Sequence, residues 1–213
     1  MLISDTSNLA KGLVGVGFAY PTVALCADKV SPGTHTGGRR MARGVRVNLN
    51  ISTAENNDFY ADNVVAESES SQFSNGTADL EVDGLLPAVE RFINGLPEAE
   101  EFDIGGRKIP LTRTGRNAVA PNVGFGWIRE YKSNGQRVFI PWILPKVKFR
   151  QAGFSAETRT ATVNYQTQSL TADIMRADDA DADWRWMGGM YTTLEEALAD
   201  LDATLGVAEA ANG

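Results

Sequence analysis

The most informative stretch of the sequence is GVRVNLNIST, residues 44–53, in which apolar and polar side chains alternate without a break. Val45 and Ile51 mark the ends of the apolar row, and this alternation predicts a strand with one buried face. Residues 77–83, TADLEVD, repeat the pattern, and their outward row of Asp79, Glu81 and Asp83 is wholly acidic. Two such strands predict a sheet with one apolar face and one polar face.

The same period-two pattern recurs along most of the chain, so the predicted body is mainly β. Further strands are expected at residues 16–26, 59–69, 123–131, 137–144, 146–151, 158–165 and 169–176. Helical spacing occurs at 85–95 and 193–205, with Gly95 and Gly206 near the C-terminal ends and a capping-box spacing at Thr193 and Glu196. Residues 30–43 and 97–122 are predicted to be long loops, and 207–213 a frayed tail.

Length and composition narrow the class of protein. A chain of 213 residues fits one domain that buries about 70% of its unfolded surface, so we expect a single domain over 1–213. The lone Cys26 excludes an internal disulfide and a zinc site built from cysteines. A net charge of −7 argues against gripping nucleic acid by its phosphates. We find no apolar run long enough for a membrane span and no signal-peptide pattern, and expect an intracellular, soluble product.

Candidate catalytic groups are few. His35 is the only histidine, and it lies in a Gly- and Thr-rich stretch without a nucleophile signature, so we expect an exposed loop histidine. The run from Gly33 to Arg39 has the glycine spacing of a phosphate loop but has arginine in place of the lysine. Asp179, Asp181 and Asp183 imitate a calcium loop only in its first three ligand positions. We therefore expect no catalytic residue, no metal and no cofactor.

Two sets of residues are candidates for a role in assembly. The stretch VFIPWIL, residues 138–144, is apolar throughout, and Pro141 places it at a sheet edge or a bulge. An apolar edge is a candidate subunit interface, with the residues Phe139, Pro141, Trp142 and Ile143. The second set is acidic and could form one negative face, either an ordinary solvated face or a channel wall that repels DNA: Glu67, Glu69, Asp79 and Glu81.

Several motifs together resemble the major tail tube proteins of siphophages, bacteriophages with long non-contractile tails. They are a YADN strand at 60–63, GTADLEVDGL at 76–85 running into a helix, VGFG at 123–126 before a hairpin, and TATVNYQTQSLTA at 160–172. The resemblance covers about residues 45–205, and the two long loops look like variable insertions.

The resemblance implies a tail-tube-type β-sandwich or barrel whose subunits form hexameric rings with a continuous inner barrel. Such rings stack around a tape measure protein, join terminator and distal tail or baseplate proteins, and conduct DNA in the virion tail. Within that picture Glu67, Glu69, Asp79 and Glu81 include lumen-facing residues. The loop 30–43, with Arg39, Arg40 and Arg43, is expected to reach an acidic surface on the neighbouring ring.

Other classes remain as alternatives. A tail terminator or related ring-forming protein would stop at one ring. A non-viral β-sandwich binding module would more often present clustered exposed aromatics, whereas the four tryptophans fall mostly inside strand patterns. An enzyme is the least supported, because the acid–base and nucleophile sets are missing.

Overall fold

The computed structural model describes residues 12–54, 72–116, 118–133, 135–151, 153 and 166–208, and the backbone alone of 58–61 and 64–68. The strand predicted at 158–165 lies outside these residues. Among the described residues the strands and helices are β1 Val14–Leu25, β2 Thr36–Arg40, β3 Gly44–Thr53, β4 Asp58–Ala61, β5 Val64–Ser68, β6 Phe73–Val82, α1 Pro87–Asn94, β7 Glu100–Ile104, β8 Arg107–Leu111, β9 Val123–Ser133, β10 Gln136–Phe149, β11 Gln168–Met175, β12 Trp186–Met187 and α2 Leu194–Leu205.

One antiparallel sheet dominates the fold, in the order β2-β1-β9-β10-β11-β6-β3, with β12 added to β10. The hairpins β4-β5 and β7-β8 each form a separate two-stranded sheet. The mainly β prediction is confirmed. The sheet is not a closed barrel, because β2 and β3 are end strands without a second neighbour among the described residues.

The sheet has a core on each face, and the alternation of β9 shows how they are separated. Phe125 and Trp127 belong to the larger core, with side chains from β6, β10, β11 and α1. Ile128 faces the other way and packs with Leu201 and Leu205 of α2. Successive strand residues point to opposite faces, so one strand supplies both cores.

The glycines of the VGFG motif let α2 approach the sheet closely. A Cβ built on Gly126 would lie 2.6 Å from the Leu201 side chain and 2.9 Å from that of Leu205. Gly124 is similarly close to the His35 ring and to Leu205. Residues 124 and 126 share the α2 face of β9, so any side chain there would push the helix away.

Both predicted helices are present. Gly95 and Gly206 end them in the left-handed conformation, with φ of 61° and 59°. Thr193 is the N-cap of α2, but its side chain makes no capping hydrogen bond, so the capping-box prediction is wrong in that detail. Val207, which was predicted to begin the frayed tail, is ordered, because it donates its N–H to the Asp202 carbonyl at 2.9 Å and bridges Gly38.

The two predicted long loops contain regular structure. Residues 30–43 include β2, and Val30 and Met41 are buried, so this segment is part of the body. Residues 97–122 include the β7-β8 hairpin. β2 was not predicted because its TGGRR sequence lacks apolar alternation. It is a strand because it pairs with β1. The single strand predicted at 59–69 is also wrong, since β4 and β5 form a hairpin there.

The edge position predicted for residues 138–144 is wrong, because β10 runs between β9 and β12 and is covered on both sides. Phe139 exchanges backbone hydrogen bonds with Tyr191 at 2.9 and 3.0 Å, and the carbonyl of Pro141 accepts one from Gly188 at 2.8 Å. Residues 139 and 141 thus direct their backbone groups away from β9. An N–H at position 141 would point away from β9, so its absence in Pro141 removes no hydrogen bond between β10 and β9.

Candidate assembly surface

A polar face lies on the neighbouring strands β3, β6 and β11, opposite the larger core. In the ladder, Asp79 stands between Asn48 of β3 and Thr171 of β11. The Asp79 carboxylate accepts hydrogen bonds from Thr171 Oγ1 at 2.9 Å and from Asn50 Nδ2 at 2.8 Å. Glu81 accepts one from Thr167 Oγ1. The face is therefore ordered by side-chain bonds and only partly exposed.

The charge of this polar face is mixed rather than wholly acidic. Glu81 lies directly across from Arg46. Asp173 of β11 pairs with Arg150, whose Nη2 lies 2.5 Å from a carboxylate oxygen.

Of the four acidic residues predicted to form one face, Asp79 and Glu81 lie together on β6. Glu67 lies on β5, in the separate β4-β5 sheet, and Glu69 lies outside the described residues.

The three arginines expected to contact a neighbouring ring have partners within the chain. Arg40 Nη2 lies 2.7 and 2.8 Å from the two carboxylate oxygens of Asp202. This ion pair joins β2 to α2. Arg43 pairs with Asp83, and the Arg39 guanidinium lies 3.9 Å from the ring centre of Phe92. All three side chains thus already contact the body of their own chain. A contact of residues 30–43 with a neighbouring ring stays a prediction.

Replacing Arg40 with methionine should lower the free energy of unfolding by about 1–2 kcal/mol, because a half-buried carboxylate loses its charged partner. Burial raises the pKa of Asp202, and the nearby Arg40 guanidinium lowers it. Loss of Arg40 would therefore make the ionised carboxylate less favourable. The matched control is Arg113→Met, which removes an exposed pair with Glu100 and should cost less than about 0.5 kcal/mol. Urea unfolding at pH 7 compares the two, and equal costs would contradict the expectation.

His35 is buried, not exposed as predicted. Its side chain is 2% exposed, its Nε2 lies 2.9 Å from the Pro145 carbonyl oxygen, and its ring meets Trp186 edge-on at 5.9 Å. Its Nδ1 has no hydrogen-bond partner within the described residues. Desolvation lowers the pKa of His35 below its usual 6.5, although the hydrogen bond to the Pro145 carbonyl opposes this shift. The histidine thus joins the start of β2 to β10 in its neutral form.

The buried His35 should make the fold sensitive to mild acid. The pKa of His35 is lower in the folded chain than in the unfolded chain. The neutral, buried histidine therefore contributes its full stabilisation of the fold above pH 6.5, and this contribution is lost as the pH falls below that value. The loss approaches about 1.4 kcal/mol per pH unit until the folded histidine takes up a proton. His35→Gln keeps a donor for Pro145 and should flatten this slope. Urea unfolding at several pH values between 5 and 7 tests it, and parallel slopes would contradict the assignment.

A cleft opens between β1 and β3, where the sheet fails to close. β1 pairs with β2 only from Thr22 to Leu25, so its edge from Val14 to Tyr20 has no strand neighbour in the described part of the chain. Within the described ranges, β3 pairs only with β6. At the narrow end the Phe18 ring contacts Gly44, and beyond it the cleft has a volume of 540 Å³.

Arginine and aromatic side chains alternate along this cleft. The Arg129 guanidinium lies 5.0 Å from the ring centres of Tyr131 and Trp142. Arg185 lies 4.8 Å from those of Trp142 and Trp184. Stacking of this kind holds a guanidinium group in place without neutralising it. We call the site, with its lining residues Arg129, Arg185, Trp142 and Trp184, the Arg/Trp cleft.

Sequence reasoning did not find the Arg/Trp cleft, because its side chains come from β9, β10 and the segment before β12. The alternation that predicts strands carries no information about which distant strands leave their edges unpaired. The only local signal was Gly15 and Gly17 in β1. A Cβ on Gly15 would lie 3.6 Å from an Arg129 nitrogen, so the glycine leaves space for the arginine.

Other reactive groups are structural. Cys26 is a free thiol whose Sγ lies 3.4 Å from the Pro145 carbonyl oxygen, and burial raises its pKa to about 11. The described residues hold no group of three or more His, Cys, Asp or Glu side chains arranged for a metal ion. Residues 177–183 form an acidic turn, in which Asp179 Oδ1 accepts the Asp183 N–H at 3.3 Å.

No family model matches the chain, and a search of curated proteins finds no match. No helix within the described ranges is both long enough and apolar enough to cross a lipid bilayer.

Proposed function

We propose that this protein is a structural subunit of a siphophage tail tube, in which its copies form hexameric rings that stack and enclose a channel for DNA. The observation that carries the proposal is the open antiparallel sheet, which ends in the ten-residue strand β3, whose outer edge has no partner among the described residues, and which has a polar face beside it. A long free edge invites pairing with another chain, and closure into a ring removes that edge.

The two faces of β3, β6 and β11 fit a channel wall. On β6 and β11 one face is buried in the larger core, with Leu80, Leu170 and Ile174, whereas β3 contributes only partly buried side chains to it. The other face carries Asp79, Glu81 and Asp173 beside hydroxyl and amide groups, and its two arginines, Arg46 and Arg150, each face one of these carboxylates. Fixed carboxylates that offset these arginines would limit the attraction of the wall for the phosphates of passing DNA.

In this proposal the partners are further copies of the chain, the tape measure protein inside the tube, and terminator and distal tail or baseplate proteins at its ends. The location is the virion tail, after assembly in the host cytoplasm. The chain itself performs no chemistry, and it needs no cofactor.

Negative-stain electron microscopy of the purified protein over a range of concentrations tests the proposal. Long hollow tubes or stacked rings are the expected result. Single rings that never stack would favour a tail terminator. Monomers at every concentration, also after addition of phage tail initiation complexes, would overturn the tube assignment and favour a binding module.

Removing negative charge from the polar face should make the tube retain DNA. Asp79→Asn with Glu81→Gln takes two charges from each subunit, and DNA bound to preformed tubes at low salt should rise on the order of tenfold. The matched control is Glu98→Gln with Asp181→Asn, which removes two exposed charges elsewhere. Cosedimentation of tubes with linear DNA measures the effect, which added salt should abolish. Equal binding by both variants would show that Asp79 and Glu81 do not face the channel.

A further inference from the structure

The Arg/Trp cleft carries two positive charges that the described part of the chain does not neutralise. Neither Arg129 nor Arg185 forms an ion pair with a described carboxylate, whereas other arginines do: Arg40, Arg43, Arg113, Arg137 and Arg150. Asp183, the acidic residue nearest to Arg185 in the sequence, instead accepts a hydrogen bond from Trp186 Nε1 at 3.0 Å. In a protein with a net charge of −7, two such guanidinium groups in one cleft favour a negatively charged ligand.

Both guanidinium groups are held against the same indole ring. Those of Arg129 and Arg185 lie 5.0 and 4.8 Å from the ring centre of Trp142, so they are at most about 10 Å apart. Tyr131 also contacts Arg129, and Trp184 also contacts Arg185. Because stacking fixes the two charges relative to each other, a ligand with two acid groups would find both of its partners already in place.

The other hydrogen-bonding side chains of the cleft are mainly donors. The indole N–H groups of Trp127 and Trp142, which both line the cleft, are buried without an acceptor among the described residues. The described lining contains no aspartate or glutamate, and Asn48 is its only residue with a side-chain acceptor. A cleft that is rich in donors and poor in acceptors favours a ligand that brings acceptor oxygens, as a carboxylate does.

The remaining walls of the cleft are apolar. Phe18, Val47 and Leu49 belong to the lining, together with Val16 and Ile51, which are 58% and 37% exposed. A ligand with an apolar body would cover these side chains, which favours binding. The cleft volume of 540 Å³ falls within the range of about 300–1,000 Å³ that is typical of sites for small molecules.

We propose that the Arg/Trp cleft binds a small organic dianion, a linear dicarboxylate with an apolar chain. One carboxylate pairs with Arg129 and the other with Arg185, and the chain between them lies against Val16 and Ile51. Guanidinium and carboxylate groups can form two parallel hydrogen bonds, which orient the ligand as well as attract it. This site goes beyond the proposed function, because it needs only one copy of the chain.

Titration of the full-length protein with linear dicarboxylates from succinate to sebacate tests the site. Binding is followed at low salt by calorimetry and by tryptophan fluorescence. Affinity should be highest at the chain length that lets both carboxylates reach a guanidinium group. The monocarboxylate of that length should bind at least about tenfold more weakly, because it loses one charge-assisted pair.

Protein variants test the two arginines separately. Arg129→Gln and Arg185→Gln should each weaken binding of the best dicarboxylate at least about tenfold, for the same reason. The matched control is Arg107→Gln with Arg116→Gln, which removes two exposed positive charges outside the cleft and should bind as the wild type does. Circular dichroism and thermal unfolding check that every variant folds.

Three results would overturn the site. They are the absence of both signals for every dicarboxylate at millimolar concentrations, wild-type affinity in both cleft variants, and an equal loss of affinity in the control. Pyrophosphate, which has two anionic groups and no apolar chain, should bind more weakly than the best dicarboxylate. Equal binding would contradict the role given to the apolar walls. Tube formation is measured separately by electron microscopy, so failure of this site leaves the tube assignment standing.

Discussion

Replacing Gly126 with valine is expected to lower the free energy of unfolding by about 3 kcal/mol, among the largest losses for any single substitution in this chain. The Cβ alone would lie 2.6 Å from Leu201, 2.9 Å from Leu205 and 3.2 Å from Ile143. These neighbours are themselves fully buried, so none can turn aside into solvent. The helix α2 must shift outward as a unit, which opens the smaller core.

A graded series makes the test specific. Gly126→Ala should cost about 1–2 kcal/mol, less than valine, because only one methyl group has to be accommodated. Gly115→Ala is the control, since a Cβ there would meet no atom within 4 Å. Thermal unfolding should show the valine variant melting roughly 6–12 °C lower, with Gly115→Ala unchanged. An unchanged melting temperature for Gly126→Val would mean that α2 does not pack on β9 in this way.

Replacing Trp127 with alanine is expected to cost about 3–5 kcal/mol, because it removes the largest fully buried side chain of the chain's described part. The indole lies between Phe125, at a ring-centre distance of 5.0 Å, and Phe18 and Trp142, at 6.4 and 6.3 Å. Its loss leaves a cavity that joins the Arg/Trp cleft, so water can enter the larger core.

Trp127→Phe separates the size of the side chain from its polar group. Phenylalanine keeps most of the ring contacts and removes an N–H that has no acceptor among the described residues. The substitution should therefore cost only about 1 kcal/mol, less than the loss of volume alone would suggest. Urea unfolding of the three proteins measures both steps. If phenylalanine cost as much as alanine, the indole N–H would have to make a bond that stabilises the fold.

The strands and helices that were predicted correctly share one property, which is a complete local pattern. β3 was predicted at its full length, 44–53, because one face is apolar along the whole strand. α2 was predicted because leucines recur on one stripe and Gly206 ends it. The elements that were missed include β2, the β7-β8 hairpin and the two-residue β12, which carry little alternation of their own.

The candidate site was predictable only in part. Asp79 and Glu81 share a strand face by periodicity alone, and β6 places them as expected. The positions of Arg40, His35 and Pro141 were not predictable. Their environments are set by Asp202, Pro145 and Gly188, which lie from 47 to 162 residues away in the chain. No local pattern encodes such pairs.

Local sequence patterns are enough to predict that this protein is mainly β, that one face of β3 and β6 is apolar, and that α1 and α2 end at glycines, because these features depend on neighbouring residues. The central position of β10, the burial of His35 and the arginine-lined cleft between β1 and β3 emerge only from the folded structure. Those features depend on which distant strands pair. That pairing is determined by the packing of the whole sheet, which buries apolar side chains in the core on each face.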